Sequence, residues 1–221
     1  GNTPVSVAVG DVNRDGHPDL AVANYFDGTV SVLLGKGDGT FWPKQDFPTG
    51  RLPGSVALGD VNGDGHPDLA VSNQAVDTVS VLLGKGDGTF WPKQDFPTGR
   101  LPGSVALGDV NGDGNLDLAV SNVGTKSVSV LLGKGDGTFR PKQDAPCGSG
   151  PFSVALGDVN GDGHPDLAVS NASDYTVSVL LGKGDGTFRP KQDFPTGRDP
   201  FSLALGDVNG DRHPDLTVAN A

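Results

Sequence analysis

The chain has no glutamate, no methionine, a single cysteine and few aromatic residues, 6% of its 221 positions. Each shortage excludes something. With Cys147 alone, no intrachain disulfide framework exists. No apolar run approaches the eighteen or so residues that a membrane-spanning helix requires. No window shows apolar residues at the three-to-four spacing of an amphipathic helix. No leader segment is legible at the start. With Gly at position 1 and no Met anywhere, the native start is expected to lie upstream. A net charge of −11 argues against nucleic acid and anionic membrane as partners.

All 27 acidic residues are Asp. A solvated surface would mix Asp and Glu. An Asp-only set points to short carboxylates in turns, where Asp also hydrogen-bonds its own backbone. Gly is abundant, at 35, and Pro numbers 17. Between these punctuating residues lie Val- and Leu-rich runs such as SVALGDV, DLAVSN and TVSVLLG, which read as strands.

The runs recur. The motif DVNGDGHPD or a close variant begins at Asp11, Asp60, Asp109, Asp158 and Asp207, each 49 residues after the last. Repeats start near positions 6, 55, 104, 153 and 202, the last one truncated. Residues 35–73 and 84–122 differ only where His66-Pro67 becomes Asn115-Leu116, which suggests recent duplication or consensus engineering. Within residues 55–97 four strands are expected: SVALGDV, DLAVSN, TVSVLLG and TFWPKQDF. GKGDGT between the third and fourth is a hairpin signal. Pro92 falls inside the expected fourth strand and assigns it to a sheet edge.

Four antiparallel strands per unit at this period are the signature of a β-propeller. The expected fold is therefore all-β, one propeller domain over residues 1–221, with four full blades and a fifth half-blade at 200–221. Five blades is the natural closed reading. The half-blade then exposes the edge of DLTVAN, a route to a homodimer.

In the acidic motif, oxygen-bearing side chains stand at positions one, three, five and nine. Gly at six permits a turn with positive φ, and the carbonyl at seven can point inward. Hard oxygen donors at this spacing suit Ca2+ better than Mg2+, which demands stricter octahedral geometry. Zinc would require nitrogen or sulfur ligands. His17, His66, His164 and His213 all occupy position seven, where Asn115 stands in the third repeat, so only their carbonyls are expected to matter. The alternative is a set of solvated Asp-Gly turns, which fivefold recurrence makes a poor account. Five bound Ca2+ would bring the net charge from −11 to −1. The site at 207–215 is expected to be weakest, because Arg212 replaces the sixth-position Gly.

GDVNGDGHPDLAVSN with VSVLLGKGDGTF resembles the FG-GAP/VCBS-type repeat, related to the propeller of integrin α subunits. The chain lacks the Phe-Gly and Gly-Ala-Pro tags of the integrin pattern. The resemblance implies that the acidic loop joins the first two strands of each blade and binds calcium. The ligand sets would be Asp11, Asn13, Asp15 and Asp19; Asp60, Asn62, Asp64 and Asp68; Asp109, Asn111, Asp113 and Asp117; Asp158, Asn160, Asp162 and Asp166; and Asp207, Asn209, Asp211 and Asp215. It also implies an extracellular or cell-surface setting. Dockerin domains share GDVNGDG but need a twelve-position loop and a following helix.

Propeller geometry places the acidic loops and GKGDGT on one rim. The other rim carries the turns that differ among repeats, with Tyr25, Phe26, Gln74, Val123 and Tyr175 as candidate contacts for a protein or glycan. Drift in tolerant turns is the bland account of the same differences. Trp42 and Trp91, expected on fourth strands, read as edge packing before a sugar platform. No Ser-His-Asp or Cys-His spacing is present, so no enzyme is expected. The leading function is a calcium-binding interaction or adhesion scaffold. The alternatives are a lectin, or an amplified or engineered propeller with no ligand.

Overall fold

The computed structural model describes residues 1–221. Blade one comprises β1 (Pro4–Gly10), β2 (Asp19–Asn24), β3 (Thr29–Leu33) and β4 (Gln45–Pro48). Blade two comprises β5 (Pro53–Gly59), β6 (Asp68–Asn73), β7 (Thr78–Leu82) and β8 (Gln94–Pro97). Blade three comprises β9 (Pro102–Gly108), β10 (Asp117–Asn122), β11 (Ser127–Leu131) and β12 (Gln143–Pro146). Blade four comprises β13 (Pro151–Gly157), β14 (Asp166–Asn171), β15 (Thr176–Leu180) and β16 (Gln192–Pro195). The half-blade is β17 (Pro200–Gly206) with β18 (Asp215–Asn220). Strands pair antiparallel in chain order, giving four four-stranded sheets and one two-stranded sheet. The chain is all-β, with four full blades and a half-blade, as its repeats predict.

The strands pack because each blade covers the next. All six residues of β6, β10 and β14 are buried, so DLAVSN is covered on both faces. The core is divided among clusters that each cross a blade boundary. In the first, Val12 and Val32 of blade one meet Val56, Leu69 and Phe90 of blade two. Innermost strands stack in the order β1, β5, β9, β13, β17.

Two expectations need correction. The fourth strand is only four residues long, Gln94–Pro97 in blade two. Trp91 and Pro92 precede it, in a connection pinned by the lone Gly84–Phe90 bridge. Trp42 and Trp91 are therefore not strand-edge packing. Both are 57% exposed, with Lys36 and Lys85 4.5 Å above their rings. The second correction concerns closure. Val7 of β1 is 57% exposed, whereas its counterparts Val56, Val105 and Val154 are each 6% exposed beneath a preceding blade. Val208 is 70% exposed where Val12, Val61 and Val110 are 2% exposed beneath a following one. The structure is an open arc and not a closed five-bladed ring.

The two rims are as expected. Gly35 N, after β3, donates to Asp19, the residue of β2 that ends the β1–β2 loop, which joins those connections at one end. At the other end Thr49 N, in an interblade link, donates to Gly28 O in the β2–β3 turn.

Candidate metal sites

Each acidic loop is organised by its own Asx oxygens. In the first, Asp11 accepts from Asp15 N at 3.2 Å and Gly16 N at 2.8 Å. Asn13 accepts from Asp15 N at 3.1 Å and donates its amide to Asp15 at 2.8 Å. Asp15 accepts from His17 N at 2.8 Å. The Asn13 amide, then the His17 N–H, hold the Asp15 carboxyl below the usual carboxylate range. The same bonds recur in the other four loops, for example Gly65 N to Asp60 and Gly163 N to Asp158, both 2.8 Å.

The chain reverses in this short span through two left-handed residues. Position six has φ of 81 to 86° at Gly16, Gly65, Gly114 and Gly163, and 71° at Arg212. The strain expected at Arg212 is present. Position four is left-handed as well, φ 62° at Arg14 and 72° at Gly63. Glycine at position four in four of the five repeats was the signal for this second site.

The ninth-position aspartate differs from the other donors. Asp19, Asp68, Asp117 and Asp166 are fully buried, while most of the other acidic-loop oxygens face solvent. Asp68 accepts Val61 N at 2.8 Å on one oxygen and Gly84 N at 2.7 Å on the other. It thus ties its loop to the hairpin that follows the third strand. Desolvation pushes the Asp68 and Asp117 carboxyls up to about 6, against the pull of two N–H groups on each, Gly84 and Val61 on Asp68 and Gly133 and Val110 on Asp117. The charges of Asp64 and Asp60 push Asp68 in the same direction as burial. In the fifth repeat Asp215 accepts Val208 N at 3.0 Å. Sequence spacing does not reveal the role of Gly84, sixteen residues beyond Asp68.

The seventh residue also touches that hairpin. A Cβ on Gly86 would collide with His66 Nδ1, so the imidazole rests directly on glycine backbone. The His66 Nδ1 is buried and unpartnered. His17 and His164 lie on Gly37 and Gly184 in the same way, and Asn115 covers Gly135. The hairpin holds its own form: Asp87 accepts Thr89 N at 2.9 Å and Thr89 Oγ1 at 2.6 Å.

No three Asp, His or Cys side chains converge as a ready-made cage. The carboxylate oxygens are turned to N–H groups: Oδ1 of Asp60, Asp109, Asp158 and Asp207 accepts two each, while Oδ2 of each accepts one and keeps a second lone pair. The donor set is oxygen only: three carboxylates, an amide and a carbonyl. Their mutual repulsion, felt at Asp68 and Asp117, is what a divalent cation would cancel. These residues fit a hard cation.

On the opposite rim, Tyr25 Oη donates to Gln74 Oε1 of the next blade at 3.1 Å. The Phe26 ring stands edge-on to Tyr25 at 5.1 Å and is 63% exposed. Three of the five candidate contact residues are therefore together. Val123 takes the position of Gln74 one blade further on and is half-buried. Tyr175 is 45% exposed on the blade-four turn.

A model of the FG-GAP-like repeat matches residues 11–71, 60–120, 117–169 and 168–218. No curated protein matches the chain. Among solved structures, a lectin of Agrocybe aegerita described as recognising non-reducing terminal N-acetylglucosamine is 22% identical, with a TM-score of 0.65 over 96% of this chain and 59% of its own. A protein of unknown function from Desulfotomaculum acetoxidans is 12% identical, TM-score 0.71, over 100% of this chain and 63% of that one. The periplasmic gluconolactonase of Pseudomonas aeruginosa is 22% identical, TM-score 0.71, over 98% and 63%. The chain thus spans under two thirds of the length of these structures. The gluconolactonase overturns the expectation that the chain is no enzyme, since the same architecture carries catalysis there. The physical reason is that loops of different blades meet in space, so a spacing along the chain is not the signal to seek.

Proposed function

We propose that this chain, which belongs to the FG-GAP-like repeat family, is a β-propeller scaffold whose acidic loops bind Ca2+ and whose variable rim docks a protein or glycan. One observation carries the metal reading. An all-oxygen donor loop recurs in one conformation at each of five β-hairpins, and in two copies burial and neighbouring carboxylates push the ninth Asp up to about 6. Calcium would hold these carboxylates ionised while each N–H clamp keeps loop and hairpin together. The ligands would be the Asp and Asn side chains at positions one, three, five and nine, with the carbonyl of position seven.

Solvent-facing loops of this kind suit weak sites and millimolar calcium, hence an extracellular or cell-surface setting. The loop at 207–215 would bind least tightly, because Arg212 adds a cation and left-handed strain. The Tyr25–Gln74 bond across two blades, with Phe26 beside it, supports the variable rim as the docking face. A glycan is the second reading, and an array binding assay separates it from a protein partner.

Thermal melts in Ca2+ and in EGTA test the metal reading. A site at 100 times its Kd stabilises by about 2.7 kcal/mol. In a chain of this size each kcal/mol moves Tm by about 2–4 °C. The expected result is a rise of several degrees with calcium, with Arg212→Gly strengthening the fifth site. Identical melting curves in both buffers would remove calcium from this account.

A further inference from the structure

The third blade boundary is built differently from the first two. At those, a fourth-strand Phe meets the Phe of the next blade's hairpin. Phe47 and Phe90 stand 5.1 Å apart at 78°, and Phe96 and Phe139 stand 5.0 Å apart at 78°. At the third boundary β12 carries Ala145 in that place, and Phe188 has no ring opposite it. Phe90 and Phe139 are 6% exposed, whereas Phe188 is half-buried. A cavity of about 570 Å³ opens between the blades, floored by Val130, Ala145, Leu180 and Phe188. That volume falls within the usual range of small-molecule sites, about 300–1,000 Å³.

The mouth of the cavity is cationic in a protein of net charge −11. In blades one and two the residue after the hairpin Phe is Trp42 or Trp91, covered by Lys36 or Lys85. In blade four it is Arg189, so Lys183 has no ring beneath it. Lys183 and Arg189 both line the mouth, and neither forms an ion pair. The other charges there are engaged: Lys191 pairs with Asp193, and Asp144 with Lys142. Asp185, beside Lys183 in the hairpin, has its carboxylate on Thr187 N and Oγ1.

We propose that this cleft is a binding site for a small aromatic acid. Its ring takes the place of the missing phenylalanine against Phe188, and its carboxylate meets Arg189 and Lys183. A ring edge-on to Phe188 restores the aromatic pair of the other two boundaries. A guanidinium recognises a carboxylate with paired N–H donors. The site uses none of the acidic-loop residues and stands whether or not those loops bind calcium.

Phenylacetate titrated into the isotopically labelled 221-residue chain tests this, with benzyl alcohol as the uncharged analogue. Saturable amide shifts are expected at Val130, Ala145 and Phe188 by about 10 mM, tenfold above a millimolar Kd. Ala145→Phe fills the cleft and should weaken phenylacetate at least about tenfold without lowering Tm. The pair Lys183→Gln and Arg189→Gln should weaken phenylacetate by about tenfold and leave benzyl alcohol unchanged. This exposed pair decides the case even where Ala145→Phe misfolds. Absence of saturation in the natural chain, or equal binding of phenylacetate by the double variant, overturns the proposal.

Discussion

At the scale of single residues, the buried ninth aspartate is both a candidate ligand and a structural clamp. Asp68 satisfies Val61 N and Gly84 N, two backbone donors with no other partner in that space. Asp68→Ala leaves both unmatched at about 1–3 kcal/mol each. The exposed Asp64→Ala should cost far less in calcium-free urea denaturation, and equal losses would deny the clamp. Protonation gives a second readout. In EGTA the folded chain holds protons on Asp68 and Asp117 up to about pH 6, against 3.8 for an ordinary Asp. Folding therefore takes up protons between those values. The stability these groups contribute is full below pH 3.8 and is lost as pH rises through about 6. Asp15, Asp113 and Asp158, whose pKa values are lowered, act with the opposite sign and below pH 3.8. The urea midpoint in EGTA should fall from about pH 4 to about pH 6.5, and a flat profile in that interval contradicts the assignment. The sequence motif identified this Asp by spacing. It could not show that the clamp's other half is the backbone N–H of Gly84, which only hairpin closure brings near.

At the scale of elements, a polar ladder crosses each full blade and holds the short fourth strand. In blade two Gly50 N donates to Asn73 Oδ1 at 2.9 Å, and Asn73 Nδ2 donates to Ser80 Oγ at 2.8 Å. Ser80 Oγ donates to Asp95 Oδ1 at 2.6 Å, and Lys93 pairs with the same Asp. Blades one, three and four repeat the Asn–Ser–Asp chain. The run TVSVL predicts the strand but not that Ser80 lies inside. A blade has neighbours on both sides, so the polar position is inside too, and Ser80 is fully buried. The short fourth strand has the same origin. With only four residues, β8 takes part of its hold from the Asp95 side chain. Ser80→Ala removes the middle rung and leaves the Asn73 amide short of a partner, a loss of about 1–3 kcal/mol. Hydrogen exchange should show β8 losing protection before β6. Unchanged protection at β8 would assign the ladder no part in holding it.

At the scale of the whole molecule, the 49-residue period made blade number and strand order legible, because each unit repeats one local pattern. Closure was not legible. It depends on the angle between blades, which accumulates over every boundary and is set by packing, not by any motif. Over residues 1–221 the outcome is an arc with two uncovered faces. One presents Val5, Val7 and Val9, at 46, 57 and 63% exposure. The other presents Val208 and the free edge of β18. The boundaries within the chain already show what fits between such faces, since Val56 is covered in the way Val7 is not. A second copy, seated blade one against half-blade, continues the same stack. Burying one such valine contributes about 1.5 kcal/mol or more. Association itself costs about 4–15 kcal/mol, so a handful of valines supports only weak binding. A head-to-tail contact of this kind builds open chains unless its rotation closes them. Sedimentation should therefore show a mass that rises from 22.5 kDa with concentration, and Val7→Lys should hold it at the monomer. A constant monomer mass in the natural chain up to about millimolar concentration would mean that the exposed end faces lack the affinity to stack.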